Sequence, residues 1–169
     1  NEAKKVGGLH AASGTLGAGA GPSVRLALLG VVYRSAGLPE DYAKAGFVMW
    51  LKSVGIYADV VGVLKSAGKD LNKEVNYLYV SDPLAQALLK AKPEFASDAK
   101  EVKSLIKAQF PQRPDVTDVE MHQAINDALS KSGKMPCTLI VLDEVQQYIG
   151  ENADRGYAVQ EVTESCSNH

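Results

Sequence analysis

Leu139, Ile140, Val141 and Leu142 run directly into Asp143 and Glu144, so an apolar stretch ends in two adjacent carboxylates. Where a buried strand emerges from a sheet, such a pair can do two kinds of work. The first acid can hold Mg²⁺ against the phosphates of a nucleotide, and the second can orient or polarise the water that attacks the terminal phosphate. Both acids must then sit at the carboxyl end of the strand, where ligands bind on open α/β sheets. The same residues have a structural reading. Acids are favoured at helix N-termini, and Asp143 and Glu144 can cap a helix that begins near Val145.

A nucleotide site also needs a phosphate cradle, whose usual form is G-x-x-x-x-G-K-[ST]. The chain contains none: Gly68-Lys69-Asp70 and Gly133-Lys134-Met135 lack both the first glycine and the hydroxyl residue after lysine. Gly17, Gly19 and Gly21, ahead of Pro22 and Ser23, make a glycine loop that feeds an apolar segment, which is a generic anion site. No lysine lies there, however, and Pro22 removes one amide donor. The loop can contact phosphate, bind a metabolite or serve only as a connection. Arg155 suits either a finger acting in trans on a neighbouring active site or a solvated loop. Gln146, Gln147 and Tyr148 can orient the acids or pack the start of a helix. His10, His122 and His169 are far apart with no ligand-like neighbours, and Cys137 and Cys166 stand 29 positions apart without zinc spacing, so both thiols are read as reduced.

The elements that must position these residues are mostly helical. Ser13 to Gly21 and the Gly7-Gly8 pair read as loop, since glycine frees the backbone and packs nothing. From Pro22 a segment with Val24, Leu26, Leu28, Leu29, Val31 and Val32 is apolar nearly all round and is expected to be buried. Amphipathic helices follow. Asp41 can cap one that ends near Gly55, a second spans about 57–67, and Asp70 and Asp82-Pro83 open two more. Asp98 with Glu101, and Thr117 with Glu120, have capping-box spacing. The run 137–142 is then short, continuous and β-branched, which predicts a strand buried on both faces and the only convincing one. A final helix is expected over about 157–166.

The chain has 169 residues, 46% of them hydrophobic, with 18 basic and 20 acidic side chains and a net charge of −2. That charge leaves no footprint for nucleic-acid binding. The cluster Lys90, Lys92, Lys100, Lys103 and Lys107 is interleaved with Glu94, Asp98 and Glu101, so it reads as a solvated helix face rather than a DNA path. No run of 18 apolar residues offers a membrane span and no apolar signal core opens the sequence, so a cytoplasmic chain is expected. Residue 1 is Asn rather than Met, which suggests a piece of a longer polypeptide.

The form of residues 139–144 is that of a Walker B strand. Together with residues 6–19 (VGGLHAASGTLGAG), 47–52 (FVMWLK) and 142–150 (LDEVQQYIG), it resembles a large bacterial P-loop ATPase family of phage-exclusion (BREX) and phage-growth-limitation defence systems. The resemblance implies an α/β fold: a predominantly helical fragment of an AAA-like P-loop NTPase domain with at least one buried parallel strand. Residues 1–21 would be the glycine-rich entry, 22–132 a helical elaboration, and 133–169 the Walker B strand with its following helix, all in one domain. It further implies ATP and Mg²⁺ as cofactors, Asp143 as metal ligand, Glu144 as the catalytic water-activating residue, and a phosphate-binding loop ahead of this region. Other defence proteins or further copies of the chain are the implied partners. The rival reading is a non-catalytic helical interaction module with a degenerate nucleotide site.

Overall fold

The computed structural model describes residues 8–17, 21, 23–131 and 133–167. Gly7, Gly19, Pro22 and His169, singled out above, lie outside the described residues. Two strands and nine α-helices run in the order β1 (Leu9–Thr15), α1 (Val24–Ser35), α2 (Tyr42–Ser53), α3 (Tyr57–Ser66), α4 (Leu71–Glu74), α5 (Asp82–Ala91), α6 (Ala99–Gln109), α7 (Asp118–Leu129), β2 (Cys137–Asp143), α8 (Val145–Ile149) and α9 (Ala153–Ser167) among the described residues. The fold is therefore broadly α/β and mostly helical. The chain forms two units, Asn1–Tyr42 with Arg113–His169, and Ala43–Gln112.

In the first unit β1 and β2 pair in parallel, in register from Leu9 opposite Cys137 to Thr15 opposite Asp143. The expected strand is present, but it has a partner, β1, that the sequence reading does not foresee and whose end, Ser13 to Thr15, it assigns to loop. Its Ala, Ser and Gly residues have little strand propensity of their own, and pairing with β2 supplies what propensity lacks. One face of this pair lies under α1. The approach is close: a Cβ at Gly14 would collide with Val31 Cγ2 and stand 2.6 Å from Arg34 Nη2. As its all-round apolar pattern predicts, α1 buries Leu28, Leu29, Val31, Val32 and Tyr33. Ser23 caps it, accepting a hydrogen bond from Leu26 N at 3.0 Å.

The other face of the strand pair is open, which corrects the expectation of burial on both sides. Leu9, Leu139 and Val141 are 81%, 64% and 50% exposed, while Ala12 beneath α1 is buried. Along β2 exposure alternates residue by residue, because the helix layer shields only the side that carries Thr138, Ile140 and Leu142. Around α1 the unit is tied together by Arg25, whose guanidinium reaches Asp115 at 3.6 Å, Asp118 at 2.5 Å and Glu161 at 3.2 Å. The bond to Asp118 holds the Arg25 pKa above its ordinary value. At the start of α7, Thr117 and Glu120 form the expected reciprocal box.

The second unit is helical. Asp70 caps α4 as expected, accepting from Asn72 N and Lys73 N. For α5 the cap is one residue earlier than the sequence suggested: Ser81 Oγ accepts from Leu84 N at 3.1 Å, which leaves Asp82 and Pro83 in the first turn. Asp98 caps α6 through Glu101 N at 2.8 Å, and the Glu101 carboxylate returns to Ser97 N rather than to Asp98. Leu51, Val60, Leu64, Leu84, Leu88, Val102 and Ile106 fill the core. Phe47 meets Phe110 edge-on, with ring centroids 5.7 Å apart, and Trp50 stacks obliquely near Phe95 at 5.3 Å. Among the described residues no single helix is long and apolar enough to cross a membrane.

Candidate site at the carboxyl end of the strand pair

Parallel pairing brings the ends of β1 and β2 out side by side, so Thr15 and Asp143 finish the sheet together. One further backbone bond, Leu16 N to Asp143 O at 2.8 Å, carries the ladder past the last paired residues and pins the turn after β1 beside the acids. Both Asp143 and Glu144 are exposed. The two predicted acids therefore occupy the carboxyl end of a parallel strand, as their proposed chemistry requires.

The geometry also separates the two readings of these acids. Asp143 Oδ1 accepts a hydrogen bond from Glu144 N at 2.8 Å, so this side chain folds back on its own turn and not onto the amides of α8. Glu144 occupies the N-cap position of α8, where its carbonyl accepts from Gln147 N at 2.9 Å and Tyr148 N at 3.3 Å, but its side chain makes no capping bond. Its backbone is left-handed, with φ 58° and ψ 20°, and it is the one non-glycine residue with positive φ among the described residues. For a side chain with a Cβ this conformation costs about 1–2 kcal/mol. The side-chain capping part of the structural reading is thus absent, while the acids still stand at the N-terminus of α8, where the dipole favours them. What the turn achieves is to aim the Glu144 side chain away from the helix start, toward Gly17: a Cβ there would lie 3.1 Å from Glu144 Oε2.

Around the acids, Tyr148 is fully buried and anchors α8. Arg155 Nη1 donates to Tyr148 O at 2.9 Å, and its guanidinium lies 4.9 Å from the Tyr148 ring centroid. This arginine therefore braces the turn between α8 and α9, and the structure favours a local role over a finger directed at another molecule. Gln146 and Gln147 are exposed, and neither side chain bonds to the acids among the described residues; Gln147 meets Glu144 only through the backbone bond of the helix start. His10 is hydrogen-bonded to Ser35 at 2.9 Å and His122 to Ser165 at 2.8 Å, which places both in structural roles away from the acids. Gly68 and Gly133 have φ values of 69° and 73°, so the two Gly-Lys pairs are turn punctuation and not phosphate loops. Within the lysine cluster, Lys92 pairs with Glu94 at 2.8 Å and Lys103 with Asp82, in keeping with a solvated face. Both cysteines are free, and burial pushes the Cys166 thiol up, away from the reactive thiolate.

A cleft of about 490 Å³ opens beside Thr15, bounded by Ser23, Val31, Arg34, Glu40 and Arg113 among others. Its cations are already engaged, Arg34 with Glu40 at 3.2 Å and Arg113 with Glu120 at 2.5 Å. Among the described residues no three His, Cys, Asp or Glu side chains gather to hold a metal ion. Asp143 therefore stands as a single carboxylate and not as part of a metal cage. Mg²⁺ keeps several waters, takes one or two carboxylates and completes its shell with substrate phosphate. Asp143 engages one oxygen with the backbone and exposes the carboxyl group at the sheet end, so the donor set fits one ligand of that ion and not an all-protein cage. Gly17 is the residue that motif reading missed as a neighbour of the acids. It was legible only as part of a glycine-rich loop, and its position depends on a strand that propensity does not show.

No protein-family model, no curated protein and no solved structure matches the chain.

Proposed function

We propose that this chain forms the Walker B side of an Mg²⁺-dependent ATPase of the P-loop, AAA-like class. The observation that carries the proposal is the pair Asp143 and Glu144 at the carboxyl end of a parallel strand, with Glu144 in a left-handed turn and its carboxylate unused by the helix behind it. In this reading Asp143 would hold Mg²⁺. Glu144 accepts hydrogen bonds from the lytic water and takes its proton as attack begins. Bound Mg²⁺·ATP supplies an electrophilic γ-phosphorus with its charge partly neutralised. The phosphate cradle would come from outside the residues that carry these acids. The setting suggested by the sequence resemblance, bacterial anti-phage defence in the cytoplasm with other defence proteins or further copies as partners, belongs to the same proposal.

The test is steady-state ATP hydrolysis by the intact protein carrying Glu144→Gln. Loss of a positioned general base lowers kcat by about a hundredfold or more, and Asp143→Asn should raise the Mg²⁺ requirement. Undiminished turnover in Glu144→Gln would sink the assignment. The rival reading, a helical interaction module without catalysis, draws support from exposed Tyr77 and Val80 on the second unit. It would prevail if neither acid affected nucleotide turnover while alanine at Tyr77 or Val80 abolished association with a partner.

A further inference from the structure

We propose that Gly17 is a positioning residue for the Glu144 carboxylate, an inference that rests on the ATPase role given to Glu144 above. Three observations carry it. The Cβ that any other residue would place at position 17 stands 3.1 Å from Glu144 Oε2, closer than carbon and oxygen ordinarily pack. The φ of Gly17 lies outside the left-handed region, so its backbone would accept an L residue, and the neighbouring carboxylate is what calls for glycine. Finally, the chain entering Gly17 is held in place: Leu16 is buried and its N–H is bonded to Asp143 O at 2.8 Å. A methyl group at position 17 therefore pushes on the one movable object present, the end of the Glu144 side chain.

Because the Glu144 side chain is exposed and gives α8 no capping bond, that displacement leaves the fold intact. A reacting group moved by a few tenths of an ångström to an ångström loses rate steeply, however. The experiment is Mg²⁺·ATP turnover by the intact protein in the Gly17→Ala variant, in Glu144→Asp and in the double variant. Shortening Glu144 by one methylene, about 1.5 Å, withdraws the carboxylate from the clash. Gly17→Ala is expected to lower kcat about tenfold with KM for ATP within about twofold, while in the Glu144→Asp background the same change costs less than about twofold. Equal losses in both backgrounds, the pattern of a folding defect, would overturn the proposal, as would full activity of Gly17→Ala. The Glu144→Gln control separates the two levels. If Glu144→Gln turns over ATP normally, the ATPase reading fails. If it is inactive while Gly17→Ala works normally, only the positioning role fails.

Discussion

Replacing Glu144 by glycine should stabilise the protein while removing the group proposed to activate water. The left-handed backbone at Glu144, φ 58° and ψ 20°, costs a residue with a Cβ about 1–2 kcal/mol. Glycine adopts it freely, but loses about 0.5–1 kcal/mol through the greater freedom of its unfolded chain. Little else offsets the gain, since the Glu144 side chain is exposed and gives α8 no capping bond, and the backbone bonds from Gln147 N, Tyr148 N and to Asp143 Oδ1 do not depend on it. The net expectation is about 0–1.5 kcal/mol of added stability, centred on about 0.75 kcal/mol, a rise of a few degrees in Tm. Glu144→Ala is the control, because it removes the carboxylate and keeps the Cβ, so it should gain nothing. Urea unfolding followed by far-ultraviolet circular dichroism reads all three proteins. A Glu144→Gly midpoint equal to or below that of Glu144→Ala would refute the strained turn, and with it the view that stability is sacrificed here to direct a carboxylate.

Two further outcomes follow from the packing and charges of the first unit. Gly14→Ala forces a methyl group into Val31 and Arg34 at the contact of β1 with α1, so it should destabilise by about 1–3 kcal/mol; the urea midpoint measures this, and an unchanged value would mean that α1 does not lie flush on the strand. Hydrogen bonds from the Thr117 backbone and side chain, joined by Arg113, hold the Glu120 carboxyl below its usual value of 4.5. With the folded pKa depressed, the contribution is present above the unfolded value and lost as pH falls through the folded one. Thermal midpoints of wild type should therefore fall more steeply than those of Glu120→Gln between about pH 5 and pH 3, and parallel curves would show that the box does not titrate with folding.

What the sequence made legible was local. Thr117 with Glu120, Asp98 with Glu101, and Asp70 declare helix starts within four residues, because the donors and acceptors involved belong to the same turn. Position β2 was legible because Leu139, Ile140, Val141 and Leu142 favour a strand on their own, yet an unbroken apolar run has no alternation from which to read its exposed face. Strand β1 was not legible, since its pairing partner lies far along the chain, its small residues carry little strand signal, and Ser13 to Thr15 read as loop. The candidate site depends on that illegible strand. Only a small residue at position 14 lets α1 lie against the sheet, and that packing helps fix where the chain leaves β1 at Thr15, Leu16 and Gly17. A Val or Ile at position 14 would have announced the strand by propensity, and would also have forced the helix off it. The small residues that hid β1 from the sequence are thus the same feature that lets its exit settle beside Asp143 and Glu144.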